Sequence, residues 1–250
     1  MRRMLTIMLL LAAFSAGAQE SRKVPTEYKG RIAAEFDQKL ARGLHATLGE
    51  ELCFEDRFSG FDKSTTTLGI TYKTCDWLRL GAGYSFIADL GDESEIRHRG
   101  TFDATGSLRA GSWRFSLRER FQSTTRTADI NLFQQPRTSL DLKSRLKCGY
   151  VCNTVPLKPY AEVEFRHRLN AVESSLLPEI SYCDCYLSRT RVALGTEWQM
   201  DGRNALDFRL MLDNNDKIKV DATRKGRLKG TTELHGGVLS IGIRYKFSRK

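Results

Sequence analysis

Apolar and polar residues alternate with a period of two along most of the chain after residue 30. The stretch G-V-L-S-I-G-I-R-Y-K-F at 237–247 shows the pattern most clearly. Successive side chains of a β-strand point to opposite faces, so this stretch predicts a strand with one apolar and one polar face. The apolar face carries Leu239, Ile241, Ile243, Tyr245 and Phe247, and the polar face carries Ser240, Gly242, Arg244 and Lys246.

Eleven segments follow this rule, and no stretch with a helical period competes with them. Most are longer than the roughly 5–6 residues that are usual for strands of globular proteins. The connections alternate between short turns and longer loops, the last of which is predicted at 213–233. The segments lie near 31–40, 44–55, 67–73, 78–86, 97–109, 113–121, 140–147, 157–169, 191–199, 206–213 and 237–247.

Long strands, alternating connection lengths and aromatic residues near strand ends are typical of outer-membrane barrels. We therefore predict an all-β fold: a closed antiparallel up-and-down transmembrane β-barrel whose apolar faces contact lipid. Single-chain bacterial barrels have an even number of strands, so we expect about 12 strands, with residues 20–30 as an additional crossing and 10 strands as the alternative. A soluble sandwich or lipocalin-like barrel, with the apolar face inside, is the competing interpretation.

The N-terminus resembles a secretory signal peptide. Arg2 and Arg3 precede the apolar run 5–14, and Ala16-Gly17-Ala18 is an A-x-A cleavage pattern. We predict a signal peptide at 1–18, cleavage before Gln19, and one outer-membrane barrel domain over 19–250; a short N-terminal anchor is the alternative. The formal net charge is +10, but nucleic acid is not expected as a partner because the chain leaves the cytoplasm.

The six cysteines are compatible with disulfides in an exported protein. Cys148 and Cys152 flank a predicted turn and are the candidate pair. Cys183 and Cys185 surround Asp184, but no histidine stands at ligand spacing, so we expect no metal site and no cofactor.

Charged residues of both signs occupy the polar faces of several strands. Buried charges need partners, and opposed rows of arginine and glutamate can pair across neighbouring strands inside a closed barrel. These rows predict a charged lumen that is filled by side chains or narrow; an electropositive channel for anionic solutes is the alternative. The candidate lumen charges are Arg118, Arg120, Glu162, Glu164, Arg166, Arg168, Arg189, Arg191 and Glu197.

A second cluster of basic residues lies in the last predicted loop, where lipid phosphates would attract it. A solvated loop is the alternative interpretation. The cluster consists of Lys217, Lys219, Arg224, Lys225, Arg227 and Lys229.

Catalysis has little support in the sequence. A lipid hydrolase in the outer membrane would need a serine paired with a histidine. His98 and His167 share the parity of apolar neighbours and are the weak candidates, but no serine is placed opposite either, and no G-x-S-x-G motif occurs.

The mature chain resembles the domain-of-unknown-function family 2490 (DUF2490), which comprises predicted outer-membrane barrels of Gram-negative bacteria. The resemblance lies in E-E-L-C-F-E-D-R-F (50–58), G-I-T-Y-K (69–73), L-R-L-G-A-G-Y-S (78–85), S-L-R-E-R-F (116–121), L-K-P-Y-A-E-V-E-F (157–165), R-T-R-V-A-L-G-T-E-W (189–198) and the closing strand. It implies fold and location only, because the family has no assigned activity.

The sequence therefore predicts an outer-membrane β-barrel without an assigned role. The alternatives are an outer-membrane lipid-modifying hydrolase and a narrow channel for anionic solutes. The expected partners are outer-membrane lipids, lipopolysaccharide among them, and the barrel-assembly machinery.

Overall fold

The computed structural model describes residues 20–55, 60–90, 94–152, 154–170 and 185–249. Within these ranges the chain forms eleven strands and no helix. The strands are β1 (Glu20–Ala41), β2 (Leu44–Glu55), β3 (Gly60–Lys73), β4 (Leu78–Asp89), β5 (Glu95–Ala110), β6 (Trp113–Arg126), β7 (Thr138–Tyr150), β8 (Leu157–Arg168), β9 (Tyr186–Gln199), β10 (Asn204–Ala222) and β11 (Leu228–Arg249).

The strands form one closed barrel in which each pairs with its sequence neighbours. Ten of these pairings are antiparallel, and a parallel pairing of β1 with β11 closes the ring. The predicted all-β closed barrel is confirmed, with eleven strands in the described ranges rather than twelve. An odd number of up-and-down strands makes the first and last run in the same direction, and a parallel seam follows.

Residues 20–30 do not form the separate crossing that was expected. They are the first half of β1, which continues through a register shift between Val24 and Glu27. Pro25 lies in this shift, where its missing N–H group does not interrupt a regular ladder. The count of eleven alternating segments agrees with the strands of the described ranges. The rule that such barrels have an even number of strands gave the wrong number.

The predicted loop at 213–233 is also mostly strand. β10 continues to Ala222 and β11 begins at Leu228, so only a tight turn remains between them. Gly226 has a φ of 84° in this turn, a conformation that glycine adopts without strain. The sequence concealed the extension because residues 213–217 read D-N-N-D-K and carry no apolar row.

The apolar rows point outward, as predicted. Leu194, Leu210 and Ile243 are 58%, 47% and 43% exposed, whereas Asp141 and Asp207 are completely buried on the opposite face of their strands. The orientation excludes the interpretation in which apolar side chains fill the centre. Aromatic rings gather at the short-turn end, where Trp113 packs edge-on against Tyr150 with centroids 5.1 Å apart and Phe36 stacks on Phe247.

Three further expectations concern particular segments. The signal peptide at 1–18 and Cys183 lie outside the described residues. Cys148 and Cys152 are both free, so the disulfide expected between them is not formed in this structure. No helix among the described residues is long and apolar enough to cross a membrane.

Candidate functional site

The lumen has two unlike walls. Nine inward residues of β2 to β4 are glycine, threonine or serine, and we call these nine the small wall: Thr47, Gly49, Thr65, Thr67, Gly69, Thr71, Gly81, Gly83 and Ser85. The inward residues of β5 to β9 are mostly charged, and we call them the charged wall: Arg97, Arg99, Asp103, Arg118, Arg120, Asp141, Lys143, Arg145, Glu162, Glu164, Arg166, Arg168, Arg189 and Arg191.

The charged wall contains a row of four cations in direct register. Arg120 of β6 lies opposite Lys143 of β7, Lys143 lies opposite Arg166 of β8, and Arg166 lies opposite Arg189 of β9. Like charges that face each other across a strand pair are destabilising. The row is therefore stable only if anionic groups lie among its members.

Asp141 is the first such anion. It is completely buried, and its two oxygens lie 2.8 Å from the Arg166 guanidinium and 2.9 Å from that of Arg168. Gln122 donates a hydrogen bond to the same carboxylate at 3.3 Å. One carboxylate on β7 thus forms ion pairs with two arginines on β8.

Glu164 has the same role one step further into the barrel. Its carboxylate lies 2.5 Å from Arg189 on one side and 3.9 Å from Arg118 on the other, and so bridges β6, β8 and β9. Arg191 forms a two-pronged pair with Asp213 of β10, at 2.5 and 2.6 Å.

Towards the short turns, Tyr160 of β8 lies across β9. Its hydroxyl donates to Asp207 of β10 at 2.6 Å, and its ring covers Gly195, at which a β-carbon would lie 2.5 Å from the ring. The ammonium of Lys147 lies 3.3 Å from the centre of the same ring. Arg209 of β10 and Lys246 of β11 also bind Asp207, so this buried carboxylate has partners on three strands.

Ion pairs cross the parallel seam as well. Arg244 of β11 binds Glu35 of β1 at 3.2 Å and Glu51 of β2 at 3.3 Å. Lys246 of β11 binds Glu197 of β9 at 2.7 Å. The links of Arg244 to Glu51 and of Lys246 to Glu197 each reach over one intervening strand, so these side chains lie along the inner surface rather than pointing to the axis alone.

All nine predicted lumen charges point inward and take part in ion pairs: Arg118, Arg120, Glu162, Glu164, Arg166, Arg168, Arg189, Arg191 and Glu197. Sequence reasoning did not single out Asp141, Lys143, Asp207 and Asp213, which share their parity. Parity alone would have placed them on this face, but their partners depend on the stagger between strands.

The predicted lipid-phosphate residues do not form one surface. Lys217 and Lys219 lie on β10, Lys229 lies on β11, and Arg224, Lys225 and Arg227 occupy the turn. The charged neighbours of Lys217 are Arg126, Lys219 and Arg168, which places it towards the mouth of the lumen.

The connection between β6 and β7 crosses to this hairpin. The side chains of Asn131 and Gln134 donate to the carbonyl oxygen of Ala222 at 2.9 and 3.0 Å, and the Phe133 ring lies against Gly226. A polar cavity of about 470 Å³ lies beneath the crossing, bordered by Glu95, Arg126, Asn131, Gln134 and Arg224 among others.

At the opposite mouth, Asp201 organises the turn between β9 and β10. Its carboxylate accepts hydrogen bonds from the Asn204 side chain and from the backbone N–H groups of Arg203 and Asn204. These bonds, that of the Asn204 side chain foremost, lower the pKa of Asp201 below its ordinary value.

The histidines do not form a catalytic pair with serine in the described part of the chain. His98 lies on the outer face, where Nδ1 is 2.5 Å from the hydroxyl of Tyr84. His167 lies in register with Leu142 and Leu187, while Ser144 donates to Glu119 instead. The described residues also contain no group of three or more His, Cys, Asp or Glu that could hold a metal ion.

Comparisons with known proteins give a family and little more. The family described as protein of unknown function (DUF2490) matches residues 32–224, which is more than half of the chain. No curated protein is significantly similar. One solved structure, an anion-selective porin from Comamonas acidovorans, is 12% identical and aligns over 82% of each chain with a TM-score of 0.28.

Proposed function

Since the chain belongs to the DUF2490 family, whose function is unknown, we propose a function from its own geometry. The protein is an outer-membrane β-barrel whose lumen is occupied by ion-paired side chains. It acts as a closed-lumen membrane barrel rather than as a wide pore. The observation that carries this proposal is the chain of ion pairs around the inner surface, beneath an outer surface of apolar rows.

The outer surface supports a membrane location. Its exposed large apolar residues occur on every strand, so the apolar surface encircles the barrel. The shortest strands have 12 residues, which exceeds the roughly 9–11 that a tilted strand needs to cross a bilayer. In water such a surface would promote aggregation, because soluble monomers rarely expose large contiguous apolar areas.

The lumen supports the closed state. Arg118, Arg189 and Glu164 connect three strands, and Tyr160 with Asp207 spans the strand between them. Long side chains held in such pairs occupy space that a wide pore would leave to water. An eleven-strand barrel is also narrow, since its diameter grows with the number of strands.

Outer-membrane lipids are the proposed surroundings of this barrel, with lipopolysaccharide on the side of the β10–β11 turn. The exposed Arg224, Lys225 and Arg227 of that turn would attract lipid phosphates. Insertion would require the barrel-assembly machinery.

Conductance in planar bilayers tests the closed lumen. We expect the native protein to insert without stable channel openings. The quadruple variant Glu164→Ser, Arg189→Ser, Arg191→Ser, Asp213→Ser removes two oppositely charged pairs and leaves the net charge unchanged, so it should open a conducting path. The control Glu50→Ser, Glu119→Ser removes two carboxylates from the outer face, where they share the parity of Leu52 and Leu117, and should remain silent.

Membrane fractionation and gel mobility complete the test. The protein should partition with outer membranes, and its migration should change on heating, because a folded barrel resists detergent until heated. Large, steady conductance of the native protein would refute the closed lumen. Recovery of the protein in the soluble fraction would refute the membrane location.

A further inference from the structure

The charged wall contains more cations than its carboxylates can pair. The charges that act most strongly on Lys143 include those of Arg189, Arg166, Glu164 and Arg99. Three of these four neighbours are themselves cations. Glu164 is the one carboxylate among them, and it is already shared between Arg189 and Arg118.

Lys143 therefore has no ion-pair partner of its own. Within the described ranges, no carboxylate oxygen lies within 4.0 Å of its ammonium group. Arg99 is in a similar position. Among the described residues, its guanidinium donates one hydrogen bond, to the hydroxyl of Thr124 at 3.3 Å, and its charged neighbours include Arg166, Arg97 and Arg189. Asp141, the carboxylate near Arg99, is occupied by Arg166 and Arg168.

Bulk water does not fully solvate this excess of positive charge. Lys143 is only partly exposed, and the strands on either side of it hold Arg120 and Arg166 directly opposite. An uncompensated charge in such a site is strongly destabilising. An anion from outside the chain, bound between these cations, would supply the missing compensation.

We propose that the lumen binds a small oxyanion of the phosphate or sulfate class between Arg99 and Lys143, with Arg166 at its edge. This inference rests on the closed-lumen barrel proposed above. The guanidinium of Arg99 offers a planar fork for two oxygens, and the Lys143 ammonium acts as a point charge, a combination suited to a tetrahedral oxyanion. The barrel wall separates the site from acyl chains, so the ligand is a free solute rather than a lipid headgroup.

The first test uses inorganic phosphate as the probe. The folded protein in detergent is heated in phosphate or in chloride at matched ionic strength and pH, and the midpoint of the heat-dependent change in gel mobility is measured. A ligand that binds only the folded state raises this midpoint. We expect a higher midpoint in phosphate, with sulfate giving a similar shift. Equal midpoints in all three anions would overturn the proposal.

Two substitutions locate the effect. Lys143→Gln should weaken phosphate binding about tenfold or more in a calorimetric titration, because it removes a charge-assisted hydrogen bond. Lys147→Gln also removes one lumen cation, but from the ring of Tyr160 rather than from this cluster, and should leave the affinity within a factor of about two. Equal losses in both variants would show a diffuse charge effect and overturn the site.

A third variant replaces the proposed ligand's negative charge with one from the chain. Lys143→Glu supplies a carboxylate from the chain itself, next to Arg99 and Arg166. We expect its midpoint in chloride to exceed that of the native protein and to be insensitive to phosphate. A phosphate shift that persists in this variant would overturn the proposal. Conductance of the native protein would count against the closed lumen, whereas these midpoints report on the anion alone, so the two failures are distinguishable.

Discussion

The two walls of the lumen share one backbone geometry and differ in almost every side chain. On the small wall, a β-carbon at Gly81 would lie 2.9 Å from the Asp103 carboxylate, and one at Gly83 would lie 2.9 Å from the Thr101 hydroxyl. Side chains of β5 therefore lean over the glycines of β4. The small residues leave space in the lumen, and the long side chains of the charged wall fill it.

This difference shows how a narrow barrel accommodates long charged side chains. If every strand carried arginine and glutamate, their volumes would exceed the lumen, and core packing leaves little tolerance for excess volume. Most of the inward charges therefore lie outside β2 to β4, and glycine, threonine and serine are concentrated on those three strands. The electrostatic neighbours of Glu51 on β2 include Arg191 and Arg209 from the far side, which is consistent with cations that reach across.

The largest effect is expected from breaking the charged wall at Asp141. Asp141→Asn keeps the shape but removes the charge that Arg166 and Arg168 share. Two partly buried cations then lack a partner, and we expect the free energy of unfolding in vesicles to fall by about 3 kcal/mol. Denaturant titration measures it. The control Asp76→Asn changes an exposed turn and should have little effect; a similar loss there would contradict the argument.

A smaller loss is expected where the charged wall itself uses glycine. In Gly195→Ala, the new β-carbon would lie 2.5 Å from the Tyr160 ring and 2.7 Å from the carbonyl oxygen of Phe208, so ring and backbone must shift. We expect a loss of about 2 kcal/mol. Gly100→Ala is the matched control, because no atom lies within 4 Å of its added carbon. Equal stability of the two variants would show that the ring does not need the glycine.

The outer side of the charged wall should respond in the opposite sense. Glu119 shares the parity of Leu117 and Phe121 and accepts a hydrogen bond from Ser144 at 2.7 Å on the apolar surface. The double variant Glu119→Leu, Ser144→Ala should stabilise the barrel in lipid by about 1 kcal/mol, because charged groups on the lipid face are unfavourable. Glu164→Leu, on the inner side, should destabilise it. Destabilisation by both would refute the assignment of faces.

The smallest effect is expected on the small wall. Thr67 and the buried Ser85 share a hydrogen bond of 2.9 Å between their hydroxyls. Thr67→Val retains the shape and leaves Ser85 without this partner, which should cost about 1 kcal/mol or less. Thr71→Val, at the end of the same strand, serves as the control. A loss as large as that of Asp141→Asn would remove the distinction between the walls.

Sequence reasoning found the part of this architecture that depends on parity. Alternation placed Leu210 and Ile243 outside and Arg118 and Glu164 inside, because the order of residues within one strand is enough to assign each side chain to a face. It could not pair Glu164 with both Arg118 and Arg189, since those contacts depend on the stagger of three strands. It missed the full lengths of β10 and β11, because D-N-N-D-K at 213–217 interrupts the period-two signal of β10 and the residues of β11 before Gly237 are mostly polar.

The local excess of cations around Lys143 could not be found from the sequence for a related reason. A count of charges gives a net excess of cations for the whole chain, but not where the excess lies. Only the register shows that Arg120, Lys143, Arg166 and Arg189 stand side by side and that the two carboxylates among them are already shared.

The parallel seam has a consequence for engineering the molecule. β1 and β11 run the same way, so Glu20 lies beside Thr232 while Arg249 lies beside Gln38 at the opposite rim. A circular permutant that joined these two strand ends would need a linker long enough to traverse the full height of the wall. In the membrane location proposed above, epitopes fused at the two positions would face different compartments, and an antibody applied to intact cells would reach one of them and not the other.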